Sequence, residues 1–305
     1  MAGRSVSLRF ATRASALARQ QTNSVILALQ QAWPGLECSE IVISTRGDRE
    51  ITRSLPEIGG KGLFTLELEA EILAARVDAA VHSLKDLPVE DSQGLMIGAI
   101  PQRQEACDVL VSPEGYRLET LPKGARVGTS SPRRTAQLLH LRPDLIIQPL
   151  RGNVDTRLQK AREGQYEAIV LAAAGLIRLG LEAAITEWLP PEVMLPAPGQ
   201  GALAVQCRSD HARVRGLLEA IEDPATRQCI QAERAFLSGL GSGCTLPVAA
   251  YTSPLEDDQL LLRGLVASPD GQQVIRVQGT GEEPLHLGAG LARQALEEGA
   301  RKLMD

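Results

Sequence analysis

At 305 residues and 44% hydrophobic content, the chain can bury cores for two or three domains, and with aromatics at 3% those cores must be aliphatic. A net charge of −5 and a pI near 5.6 argue against a general nucleic-acid or membrane-surface binder, which is usually basic. The five cysteines (Cys38, Cys107, Cys207, Cys229 and Cys244) are odd in number and widely spaced with no CxxC pair, so no disulfide framework or metal site is expected.

In chain order, "SVSLRFAT" reads as a strand, "LARQQTNSVILALQQAW" as a helix with Leu17, Val25 and Leu29 on one face, and "CSEIVIST" as a second strand. The glycine-rich "EIGGKGLF" is a candidate lid, with Lys61 and Phe64 placed to close over a site. A helix through "TLELEAEILAA" and strands at "DAAVHS" and "GLMIGAI" follow. The middle of the chain repeats the rhythm: "ARVGTS", "LIIQPL" and "EAIVLA" as strands, alternating with helices at "RRTAQLLHL", "VDTRLQKARE" and "AGLIRLGL". Such alternation predicts an α/β fold of mostly parallel sheets with helices on both faces. The expected layout is one doubly wound domain over 1–101 that takes back 197–219, and a second over 102–196. From about Asp223 a helix, three strands and a closing helix "LHLGAGLARQALEEGARKLM" predict a small α+β domain over 220–305.

Open α/β sheets gather ligands at the C-terminal ends of their strands. Those ends carry Arg13 and Ser15; Ser83, Lys85 and Asp86; Thr129, Ser130, Ser131, Arg133 and Arg134; Arg151, Asn153 and Arg157; and Arg178. In "GTSSPRR", Gly128 permits a tight turn, Ser130 or Ser131 can cap a helix, and Pro132 suits its first position. Guanidinium forks match carboxylates or phosphates, so the set predicts a ligand with several negative groups. Asp86 is the odd member, either ion-paired to a neighbour such as Lys85 or placed to meet a cation or move a proton. His82 reads as structural, and Cys38, Cys107, Cys207 and Cys229 as buried. Cys244, by contrast, follows Gly239, Gly241 and Gly243 on a loop that displays its sulfur.

The segments "RASALARQQ", "GGKGLFTLELE", "HSLKDLP", "GTSSPRRTAQL", "LRGNVDTRL", "LPAPGQGALAVQC" and "GSGCTLPVA", in this order, make the chain resemble the porphobilinogen deaminase (hydroxymethylbilane synthase) family. The resemblance implies two periplasmic-binding-protein-like domains and a third that bears a dipyrromethane cofactor, held by a thioether on Cys244. It implies the head-to-tail addition of four porphobilinogen units with loss of ammonia, and hydrolytic release of a linear tetrapyrrole on the route to porphyrins and haem. Asp86 matches the catalytic aspartate; Ser83, Lys85, Thr129, Ser130, Ser131, Arg133 and Arg134 join it around the cofactor. Arg13, Ser15, Gln21, Lys61, Phe64, Arg151, Asn153, Arg157, Arg178 and Gln200 match substrate-binding positions. The chain departs from the family at Glu57, often basic in relatives, at Pro132, and in "RQEACDVLV", which is less acidic but keeps Asp108. A cytoplasmic monomer is expected, with no metal, nucleic acid or membrane as partner. The rival readings are a non-catalytic binding protein for a polyanionic small molecule and a phosphate-handling enzyme.

Overall fold

The computed structural model describes residues 7–45, 65–90, 92–241 and 246–304. The chain divides into two compact units, Met1–Gln104 with Ala202–Arg227, and Glu105–Gly201 with Gln228–Asp305.

In the first unit, β1 (Ser7–Arg13) buries Leu8, Phe10, Ala11 and Thr12, so its side chains enter both faces of the sheet. β2 (Glu37–Ile43) and β3 (Ala79–Ser83) flank it in parallel, with Ser7 opposite Glu37 and Phe10 opposite Ala79. β4 (Leu95–Ala99) lies at the far edge, separated from β3 by a strand running the other way, Leu203–Arg208, so the order is 2-1-3-insert-4. The helix α1 (Ala16–Ala32) presents Val25, Ile26 and Leu29 to Phe10, Val81 and Val205 on one face. The helix α2 (Leu66–Leu73) covers the other with Leu68 and Ile72 on Ala11 and Ala80. Two apolar faces on one sheet require helices on both sides, which is the doubly wound arrangement.

The second unit repeats that plan. β5 (Asp108–Val111) runs antiparallel between β8 (Ala168–Ala172) and β9 (Glu187–Leu189); β6 (Arg126–Gly128) and β7 (Ile146–Gln148) complete the order 7-6-8-5-9. Its helices are α3 (Pro132–Leu141), α4 (Val154–Arg162) and α5 (Ala173–Arg178). The strand Leu203–Arg208, β10, and the helix α6 (Ala212–Leu218) return to the first unit. Helix α7 (Pro224–Gly239), which joins the second unit from Gln228, leads to an antiparallel meander of β11 (Val248–Pro254), β12 (Leu260–Ala267) and β13 (Val274–Gly281). This meander rests on α3, with Ala249, Leu265 and Ala267 packed on Ala136 and Leu195. Gly264 is required there by contact rather than by conformation, because a Cβ would lie 2.5 Å from the buried Phe236 ring.

Three strands escaped the sequence reading. β5 and β10 are short, buried along nearly their whole length and outside the strand–helix succession, and β9 is a three-residue edge strand. The single closing helix expected at the C-terminus is two, α8 (Pro284–Glu297) and α9 (Arg301–Met304), parted at Gly299 by a φ of 102°. That left-handed conformation stops a helix and suits glycine.

Candidate active site

In the first unit the candidate residues follow β1 and β3. Ser15 caps α1, its hydroxyl accepting from the Ala18 N–H at 3.3 Å. One turn on, the buried Gln21 donates to Ser83 Oγ at 2.8 Å and ties α1 to the end of β3. The chain then makes one 3-10 turn, Leu84–Asp86, in which buried Leu84 anchors half-buried Lys85 and exposed Asp86. The Asp86 carboxylate has no hydrogen-bond or ion-pair partner among the described residues. The simplest alternative for Asp86, an ion pair with Lys85, is not formed. Arg13 is half-buried at the end of β1.

His82 is buried, and its Nε2 has no hydrogen-bond partner among the described residues. Burial, opposed by a contact with Gln206 and reinforced by the Arg13 charge, lowers its pKa to about 4, so the ring is neutral at pH 7.

In the second unit the "GTSSPRR" segment folds as its chemistry requires, with one difference. Ser131 accepts from the Arg134 N–H at 3.4 Å as the cap of α3, and Pro132 opens the helix. Gly128 serves close packing rather than a tight turn, since a Cβ would lie 2.9 Å from Tyr166. Ser130 brackets Leu150, donating to its carbonyl and accepting its N–H, each at 3.0 Å, while Thr129 Oγ1 accepts from the Ser131 N–H.

Arg133 and Arg134 are buried and converge on Asp108, itself without solvent exposure. Arg133 Nη2 lies 2.7 Å from Asp108 Oδ2; Arg134 donates to Oδ1 through Nε at 3.1 Å and Nη2 at 2.7 Å. Their remaining forks reach the carbonyls of Leu195 at 2.6 Å and Val170 at 2.9 Å. Burial alone would raise the Asp108 pKa, but the two guanidinium charges outweigh it and hold the carboxyl well below the ordinary range. Gln200, expected beside the substrate, is buried and donates to Asp108 Oδ1 at 2.8 Å and to the Ala106 carbonyl at 2.7 Å. It sits between Gly199 and Gly201, whose φ values of 76° and 87° shape this turn.

The other cations of this unit are more accessible. Arg151 and Arg157 are half-buried beside the exposed Asn153 at the start of α4, and Arg157 Nε donates to the Gly152 carbonyl at 2.7 Å. Arg178 donates to the Gly201 carbonyl at 2.7 Å. Burial lowers its pKa to about 10, still fully charged at pH 7. A half-buried guanidinium facing a carbonyl, with no carboxylate within ion-pair reach among the described residues, suits the carboxylate of a ligand.

Lys61, Phe64, Glu57 and Cys244 lie outside the described residues. Of the other cysteines, Cys207 and Cys229 are buried as expected, whereas Cys38 and Cys107 are only half-buried. Burial, with help from Glu105, pushes the Cys107 thiol up to about 12, and burial pushes Cys207 up to about 11, so both are protonated at pH 7. Sequence reading missed the importance of Asp108 and of Glu233. The latter is a buried carboxylate on α7 that accepts the Gly199 N–H at 2.7 Å and the Thr252 N–H at 2.8 Å. The signal available was an isolated acidic residue inside an otherwise buried run. Among the described residues no cluster could hold a metal ion, and no helix is long and apolar enough to cross a membrane.

In the first unit, the exposed Asp86 carboxylate, unpaired among the described residues, is suited to proton transfer; in the second, half-buried guanidinium groups at helix ends are suited to the carboxylates of a ligand. Residues 8–216 match the family model described as porphobilinogen deaminase, dipyromethane cofactor binding domain, and 227–297 match the family's C-terminal domain. A porphobilinogen deaminase of Roseiflexus sp. is 51% identical over 98% of each chain; that of Brevibacillus brevis is 47% identical over 95% of this chain and 94% of the relative. One from Thermus thermophilus is 46% identical over 96% of each. The chain belongs to the porphobilinogen deaminase family.

Proposed function

We infer that this chain joins four porphobilinogen molecules head to tail into hydroxymethylbilane, releasing ammonia at each addition, and so serves tetrapyrrole synthesis. The family's dipyrromethane cofactor, when bound, supplies the pyrrole carbon on which the product chain is begun. The residues present suit that group. Its pyrrole N–H groups call for a carboxylate, which the exposed Asp86 offers, and its acid side arms call for hydroxyls and cations. Ser83, Lys85, Thr129, Ser130, Ser131, Arg133 and Arg134 are the residues we assign to holding it. We assign its thioether to Cys244, the cysteine that matches the family's attachment position; burial raises the thiol pKa values of Cys107 and Cys207, which makes those sulfurs poor nucleophiles.

Asp86 is the residue we assign to proton transfer. In its protonated form it gives a proton to the departing amine, and as the carboxylate it stabilises the positive charge left on the substrate carbon. Arg13, Ser15, Gln21, Lys61, Phe64, Arg151, Asn153, Arg157 and Arg178 are assigned to the acetate and propionate arms of the incoming unit and the growing chain. Each addition brings two more carboxylates, which is why several cations are needed. A cytoplasmic monomer is the expected working form, in keeping with the free thiols among the described cysteines.

The observation that carries this reading is Asp86, an accessible carboxylate beside Lys85 at the end of a parallel strand, unpaired among the described residues. The test is intact mass with product analysis. Wild-type protein should exceed its polypeptide mass by one dipyrromethane unit and convert porphobilinogen; Cys244→Ala should show the bare mass and no turnover. A wild-type chain that stays bare after incubation with porphobilinogen and forms no product overturns the reading and favours a binding protein.

A further inference from the structure

Two consecutive arginines at the start of a helix point about 100° apart around its axis, so one acceptor does not ordinarily serve both. Here Asp108 does. Its Oδ2 is ion-paired with Arg133 at 2.7 Å, its Oδ1 takes Arg134 through two N–H groups, and Gln200 adds a third donor to Oδ1. The cluster is fully inside the second unit: Asp108 is 0% exposed, Gln200 1%, Arg133 4% and Arg134 6%. Two cations against one carboxylate leave one positive charge in excess, and Arg133 Nε remains a buried donor with no acceptor among the described residues. Beside it stand the exposed Ser130 and the half-buried cap Ser131. A cluster with surplus charge and an unanswered donor is incomplete without an anion nearby.

Resting on the function proposed above, we propose that Asp108 is a positioning residue for cofactor attachment, with Gln200 as its support. By drawing both guanidinium groups onto one carboxylate, it fixes where the surplus positive charge lies at the start of α3. That charge then meets an acid side arm of the pyrrole unit being attached without either arginine having to search for its orientation. Gln200 acts through Asp108 and not by touching substrate, since its amide N–H groups already reach Asp108 and Ala106.

The experiment follows adduct formation by intact mass after cofactor-free full-length chain is mixed with porphobilinogen. Each variant is first shown folded by circular dichroism and held well below its unfolding midpoint. Asp108→Asn keeps the shape and removes the charge; loading should slow by about 100-fold, the cost of misplacing a reacting arrangement. Gln200→Leu should slow loading by about tenfold, the usual effect of losing one hydrogen bond to a charged group. The double variant should load no more slowly than Asp108→Asn alone, because both act through one carboxylate. Folded Asp108→Asn that loads at the wild-type rate would show a purely structural role and overturn the proposal, as would strictly additive effects. If Asp108→Asn does not fold, Gln200→Leu decides: wild-type loading refutes the proposal, and slowed loading with an unchanged fold supports it. Failure of the functional reading is a separate result, in which the wild-type chain itself forms no adduct.

Discussion

Replacing Glu233 with glutamine tests how the meander that follows α7 is held to the rest of its unit. One carboxylate oxygen accepts the Gly199 N–H at 2.7 Å and the other accepts the Thr252 N–H at 2.8 Å, all without water access at Glu233. An amide has one oxygen and one NH2 group, so whichever way it turns, one buried N–H meets another donor. A hydrogen bond to a charged group contributes about 1.5–3 kcal/mol, and a buried donor left unpaired costs about 1–3 kcal/mol. Because the retained bond is also weakened to a neutral one, Glu233→Gln should cost about 3 kcal/mol or more. The chain has two tryptophans, Trp33 in the first unit and Trp188 in the second. In a Trp33→Phe background, the fluorescence of Trp188 during denaturant unfolding reports the second unit alone. A loss of less than about 1 kcal/mol would mean that the pair of bonds contributes no more than an ordinary surface contact.

Asp86→Asn should reduce turnover by about 10²–10⁴-fold, the range for loss of a general acid. Asp86 is exposed and unpaired among the described residues, so stability should move by no more than about 0.5 kcal/mol. Near-normal turnover by quenched-flow or steady-state assay would remove Asp86 from the mechanism. His82 predicts a pH effect: its folded pKa of about 4 lies below the ordinary 6.5. Between those values the unfolded chain binds a proton that the folded chain refuses, so stability falls as pH drops from 6.5 to 4. The loss approaches about 3 kcal/mol at the lower end. His82→Gln should flatten that part of the stability profile of the first unit, and a variant with an unchanged slope would contradict the assignment.

Much of the first layer of organisation was legible. The regular succession of strand and helix patterns marked β1, α1, β3, β6, α3 and β8, each strand a short apolar run next to a helical pattern or a turn signal. Ser131 and Pro132 announced the start of α3 by chemistry that acts over three residues. β5 and β10 did not announce themselves, since both are short buried strands outside the strand–helix succession, with no helix between β5 and β6 or between β9 and β10. The roles of Gln200 and Asp108 were hidden for a different reason. They are 92 residues apart, and no local pattern tells a buried ion cluster from a set of exposed charges.

Taken alone, the order of residues determined which groups are available: a cysteine in a glycine-rich segment, an aspartate after a parallel strand, and a succession of arginines at strand ends. It also determined the α/β class, because hydrophobic period is a property of neighbours in sequence. Only the tertiary structure decided which of those charges are already matched. Arg133 and Arg134 are held inside by Asp108, whereas Asp86 is exposed and unpaired among the described residues. The reason is that pairing and desolvation depend on distances between segments far apart in the chain, and those distances exist only once the sheets have formed.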